Sequence, residues 1–99
     1  MRRDDALRKL RQRRDQLEGV GVSQLFLYGS VARDQADANS DVDLLVESAS
    51  PTFSIFDLVR VKDLCQQILG SSADVHHHGG LKRASSLRAN IAAELIRVF

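Results

Sequence analysis

The chain has 99 residues, 43% of them hydrophobic, with no Trp and a net charge of +1. That length sets the expectation of one domain over residues 1–99, near the lower end of what buries a self-sufficient core. The near-neutral balance gives no global push toward nucleic acid, and no apolar run approaches the ~20 residues that cross a bilayer. The lone Cys65 has no internal disulfide partner, which fits a reducing cytoplasm, and the basic N-terminus lacks the apolar stretch of a secretion signal.

The first predicted element is a helix from a cap at Asp4 or Asp5 to about Glu18, with Leu7, Leu10 and Leu17 on one face and Gly19 and Gly21 as its stop. Half of the 14 Lys and Arg residues fall between Arg2 and Arg14. That cluster reads either as a phosphate or RNA contact or as a solvated helix face; the interleaved Asp4, Asp5, Asp15 and Glu18 favour the second. Gln24 to Tyr28 is a short apolar strand, ended by Gly29. Ser30 is placed to cap a short helix over Val31 to Gln35. A polar loop follows, and then a second strand from Asp41 to Glu47. Ser50-Pro51 is a helix-start signal, and Phe53, Phe56, Val61, Leu64 and Ile68 recur at helical spacing up to a stop at Gly70. Ala73 to His76 is a third, very short strand. After Gly79-Gly80, Ser85 or Ser86 opens a last helix carrying Leu87, Ile91, Leu95 and Val98. The expected order is α-β-α-β-α-β-α.

The chemistry concentrates around the second strand. Residues i and i+2 of a strand share a face, so Asp41 and Asp43 project together while Val42 and Leu44 face the other way. Two readings are open for such a pair: exposed acids at a strand start, or ligands for a divalent cation, which takes carboxylate oxygens together with substrate phosphates. Gly29 and Ser30, just past the first strand, supply a bare backbone turn and a helix N-terminus, both suited to phosphate. For all four residues to serve one site, the first two strands must run antiparallel. Asp74 opens the third strand and is the candidate third carboxylate. It reaches the same place only if that strand lies beside the second and parallel to it. Three carboxylates can hold two metal ions, which clamp the entering and leaving oxygens of a phosphoryl displacement.

These residues carry a resemblance. The stretch GSVARDQADANSDVDLLVE is similar to the GSxARG…SDxDLLV signature of minimal nucleotidyltransferases, relatives of the DNA polymerase beta palm, and FSIFDLVRVKDLCQQILGSSADV resembles the helix and third strand that follow it. The resemblance covers about Gln24 to Val75. It implies an α/β (α+β) nucleotidyltransferase fold: a three-stranded mixed sheet flanked by about four helices. It further implies that Gly29, Ser30 and Arg33 hold the triphosphate of ATP, that Asp41, Asp43 and Asp74 bind Mg²⁺, and that Asp74 helps deprotonate an acceptor hydroxyl. Arg33 also has a structural reading, as the partner of an acid such as Asp37.

Two positions depart from the pattern. Asp34 stands where the family usually has Gly, either as an extra acid near the triphosphate or as a side chain pointing to solvent. His76, His77 and His78 follow Asp74 where an apolar or Thr-containing stretch is usual. Consecutive strand residues cannot all face one ion, so a zinc site is not expected, but His76 shares the face of Asp74.

So short a chain leaves no room for an acceptor-binding domain. The resemblance therefore points to the antitoxins that partner HEPN-domain ribonuclease toxins, some of which attach AMP to a toxin tyrosine. The alternatives are transfer to a small molecule or an RNA end, and a binding module that silences its partner by occlusion. Self-association is a further expectation. Phe99, at the end of the chain, is read either as folding back onto the core or as part of a protein contact.

Overall fold

In a computed structural model of the chain, residues 1–36, 40–77 and 95–99 are described. Helix α1 covers Arg3–Gln12, with Asp4 and Asp5 in its first turn and Lys9 and Arg11 in its last, each sign opposing the helix dipole. The expected single helix is broken: α2 restarts at Arg14–Gly19. At the joint, the Arg13 amide donates to the Leu10 carbonyl at 3.1 Å, a tight i−3 bond that offsets the axis. Neither Asp4 nor Asp5 caps α1, whose N-cap is Arg2 with no side-chain bond.

Strand β1 is Gln24–Tyr28. The short helix α3 starts earlier than expected, at Gly29–Ala32, with Tyr28 rather than Ser30 at its N-cap; Val31 and Ala32 are buried. Strand β2 is Val42–Glu47. It pairs antiparallel to β1, from Tyr28 opposite Asp43 to Gln24 opposite Glu47. Helix α4 is Ile55–Leu69 and ends at Gly70, which is left-handed at φ 69°. Strand β3 is Ala73–His77. It lies parallel to β2, with Asp43 beside Asp74 and Leu45 beside His76. Both strand directions required by a shared site are therefore present.

The start of α4 differs from its sequence signal. Ser54, not Ser50, is the N-cap, and it forms a capping box with Asp57: the Ser54 amide donates to Asp57 Oδ2 at 2.8 Å. Ser50 instead closes a local turn over Pro51, where its Oγ accepts the Thr52 amide at 3.3 Å. With the start moved, Phe53 precedes the helix. Its fully buried stripe is Val61, Cys65 and Leu69, while Phe56 is 78% exposed.

The C-terminus also differs. Ser85, Ser86, Leu87 and Ile91 lie outside the described residues, but Ile96–Arg97 is a strand, β4, antiparallel to β1. The sheet order is thus β3-β2-β1-β4, one short strand more than expected. Arg11 anchors the tail: its Nε donates to the Val98 carbonyl at 2.7 Å, and another guanidinium nitrogen donates to the Arg97 carbonyl at 3.1 Å. Phe99 folds back and is buried, with the Arg14 guanidinium 5.1 Å from its ring centroid.

The two faces of the sheet differ in kind. Leu25, Leu27, Val42, Leu44, Val46 and Val75 join Leu10, Leu17, Val61, Cys65 and Leu69 in the main core. Among the described residues the opposite face has a small cluster, Tyr28 and Leu45 with Phe26 and Leu95. Among the described residues no helix is long and apolar enough to cross a membrane.

Candidate active site

The site lies on that second face, where β1 ends and β2 and β3 begin. The chain turns out of β1 at Gly29 with φ 76°, in the left-handed region where side chains are disfavoured. Glycine is required there on a second count. A Cβ would overlap Asp43 Oδ2 and sit 3.1 Å from Asp43 Cγ. The missing side chain therefore lets the turn close directly onto the carboxylate. Ser30, half-buried, follows in the first turn of α3.

Asp43 and Asp74 are neighbours across the parallel ladder. Such strands lie about 4.8 Å apart, so two carboxylates at one level repel. Asp41 immediately precedes β2 and is exposed. Burial first, then the charges of Asp74 and Asp41, push the Asp43 carboxyl above its ordinary range; His76 and Arg33 pull it partly back. Those influences place Asp41 and Asp74 each within electrostatic reach of Asp43. Asp74 is not isolated, because His76 Nε2 lies 3.2 Å from its Oδ2.

Tyr28 is a site residue that the sequence reading missed. It faces Asp43 in the register and is buried, and burial followed by the charges of Asp43 and Asp74 pushes its hydroxyl far above the usual phenol value. The signal was available: Tyr28 directly precedes Gly29 on a strand whose alternate positions, Leu25 and Leu27, are core.

Other flagged residues go elsewhere. Arg33 follows α3, and its Nε donates to Gln35 Oε1 at 3.2 Å. Asp37, its suggested partner, lies outside the described residues, as does His78. His77 points to the opposite face and packs on Phe53, ring centroids 4.9 Å apart. Asp34 turns out to have a structural task. It adopts φ 58°, which explains why glycine is usual there, and its Oδ1 accepts the Arg3 amide at 2.9 Å. Its carboxylate is thereby engaged as a cap on α1, contributed from outside the helix.

The donor set suits a hard divalent cation. Asp41, Asp43 and Asp74 offer only oxygens, and a cation among them removes the repulsion that raises Asp43. Among the described residues, however, no three His, Cys, Asp or Glu side chains are gathered closely enough to hold a metal ion together. Among the described residues the arrangement is a carboxylate edge beside a bare backbone turn.

Comparison with known proteins agrees with this fold. Residues 7–98 match the nucleotidyltransferase domain family. A solved structure of a candidate minimal nucleotidyltransferase superposes with a TM-score of 0.72 at 33% identity, over 91% of this chain and 93% of that one. A toxin–antitoxin structure solved with AMP-PNP shares the fold at 18% identity, with a TM-score of 0.66 over 100% of this chain and 73% of that one. The protein adenylyltransferase MntA of Thermococcus cleftensis is 30% identical over 80 residues, 81% of this chain and 74% of its own length. A candidate protein adenylyltransferase of Methanocaldococcus jannaschii is 40% identical over 55 residues, 56% of this chain and 58% of its own length. With residues 7–98 matched and the fold shared, the chain belongs to the nucleotidyltransferase domain family, among its minimal members.

Proposed function

We propose that the protein transfers a nucleoside monophosphate, AMP from ATP, to a hydroxyl of a partner protein, a tyrosine of a HEPN-domain toxin, and so acts as its antitoxin. One observation carries the reading. Gly29 closes onto Asp43, and Asp43 stands beside Asp74, so a side-chain-free backbone turn at a helix start meets paired carboxylates at one point. The relatives named as protein adenylyltransferases and the toxin–antitoxin structure support the acceptor and the partner.

In this reading the backbone turn at Gly29, Ser30 and the Arg33 charge hold the triphosphate. Asp41, Asp43 and Asp74 would hold Mg²⁺, which when bound neutralises charge on the phosphates. The acceptor oxygen attacks the α-phosphorus, the bond to the bridging oxygen breaks, and pyrophosphate leaves. The hydroxyl proton passes to the Asp74 carboxylate, the most exposed side of the pair and the one open to an incoming protein. Alignment and charge neutralisation supply most of the rate.

The test is co-expression with the neighbouring reading frame. Wild type should add the mass of one AMP to a partner tyrosine. The Asp41→Ala/Asp43→Ala variant should still bind the partner and leave it unmodified. If both silence an unmodified partner equally, the protein works by occlusion; AMP on a small molecule or RNA end instead would move the acceptor to that class.

A further inference from the structure

His76 stands where the family pattern carries a different side chain, and the proposed reaction has given it no task. It is two residues from Asp74 on β3 and beside Leu45 in the ladder, which puts both side chains on the site face of the sheet. Its ring lies 6.3 Å, centroid to centroid, from that of Tyr28. Tyr28 and Leu45 are both buried, so the imidazole has a fixed wall behind it and beside it. Its Nε2 approaches Asp74 Oδ2 at 3.2 Å.

Asp74 needs such a partner. Its side chain is 53% exposed, and the neighbouring Asp43 repels it. Left alone, the carboxylate would swing toward water and away from the place where it is wanted. A hydrogen bond to one oxygen removes that freedom while the other oxygen stays available as a ligand or base. We propose that His76 is a positioning residue: its Nε2–H holds Asp74 by Oδ2 and keeps the remaining oxygen directed to the metal and acceptor side of the site. A carboxylate only accepts, so the bond itself fixes the imidazole proton on Nε2. A neutral ring is sufficient, so the role does not depend on histidine charge. Carboxylates that ligate metals are commonly held in this way, and losing the holding group weakens metal affinity or activity by about 10–100-fold.

This role rests on the proposed metal-dependent transfer, so its test separates the contact from its consequence. In metal-free protein, the ¹⁵N signals of the His76 ring should report a proton on Nε2, and Asp74→Asn should shift them. Mn²⁺ titration followed by electron paramagnetic resonance then compares three proteins. His76→Phe keeps the ring but not the donor, and it should bind Mn²⁺ about 10-fold more weakly than wild type. His76→Gln, which places an amide N–H near the same point, should recover most of that affinity. In the transfer assay His76→Phe should need more Mn²⁺ for half-maximal rate while KM for the acceptor stays unchanged.

Wild-type affinity in His76→Phe would overturn the positioning role, and so would a ring signal blind to Asp74→Asn. Equal weakness of His76→Gln and His76→Phe would make the imidazole a direct ligand and overturn it as well. A wild-type chain that shows the ring signal and binds no Mn²⁺ would instead overturn the metal-dependent function, and the role with it.

Discussion

Leu44 and Asp43 are consecutive residues of β2, yet they belong to different proteins in effect. Leu44 points into the helix-covered core and is fully buried; Asp43 points to the opposite face, where partial burial and then neighbouring charges raise its own carboxyl. The same alternation holds along β1, where Leu25 and Leu27 are core while Phe26 and Tyr28 face the site side. One face holds the fold together by excluding water. The other holds mutually repelling groups in place because the first face leaves the backbone no choice. Stability and chemistry are thus divided by a period of two, and a one-residue slip would exchange them.

The largest expected effects should separate the faces cleanly. Leu44→Ala should cost about 2–5 kcal/mol of stability, read by urea unfolding, because a cavity opens in the packed face. Asp43→Asn should reduce transfer by at least about 10²-fold. In metal-free buffer its melting temperature should be unchanged or raised, because a repelling charge is gone. A strong loss of stability in Asp43→Asn would mean that Asp43 belongs to the fold and not to the site.

Gly29→Ala tests the boundary between the two regions. The left-handed backbone and the overlap with Asp43 should together cost about 1–3 kcal/mol and also abolish transfer, measured by thermal melting and AMP incorporation. Retained activity would show that the turn does not need to close on the carboxylate.

The smallest effect near neutral pH belongs to the packed face. Burial pushes the Cys65 thiol up to about 12, whereas an unfolded thiol titrates near 8.5. Between those values the unfolded chain has released its thiol proton and the folded one has not. The unfolded state is therefore favoured as pH rises, and stability should fall by up to about 1.4 kcal/mol per pH unit across that window. Urea midpoints between pH 8 and about pH 10, below the range where an unfolded Tyr28 ionises, should show this slope in wild type, and Cys65→Ala should lose it. The native thiol should also resist alkylation.

Much of the site could be read from the sequence because strand chemistry is local. Gly29, Asp41, Asp43 and Asp74 sit at strand boundaries, and the period of two fixes which of them share a face. The strand directions followed from requiring one site. What could not be read depended on tertiary partners. The break at Arg13 is a matter of docking two helical turns on one core, and nothing in the run of charges marks it. Ser50-Pro51 and Ser54-x-x-Asp57 are both valid start signals, and only the reciprocal bond to Asp57 decides between them. The tail was misread because Leu95 and Val98 fit a helical stripe, whereas two residues of β4 carry no periodicity; they become a strand because the edge of β1 is there to receive them. Asp34 looked like a flaw beside a phosphate site only because its partner, the Arg3 amide, lies 31 residues away.

That last contact makes the start of α1 a listening post. The Arg3 amide is bonded to a residue two places beyond α3, the helix whose first turn begins at Gly29. Any rearrangement of that turn alters the length of one hydrogen bond, and an amide proton reports such a change in its chemical shift and exchange rate. The Arg3 amide is thus the signal to follow when nucleotide is added to the protein. Asp34→Gly would ease the backbone and cut the wire at the same stroke.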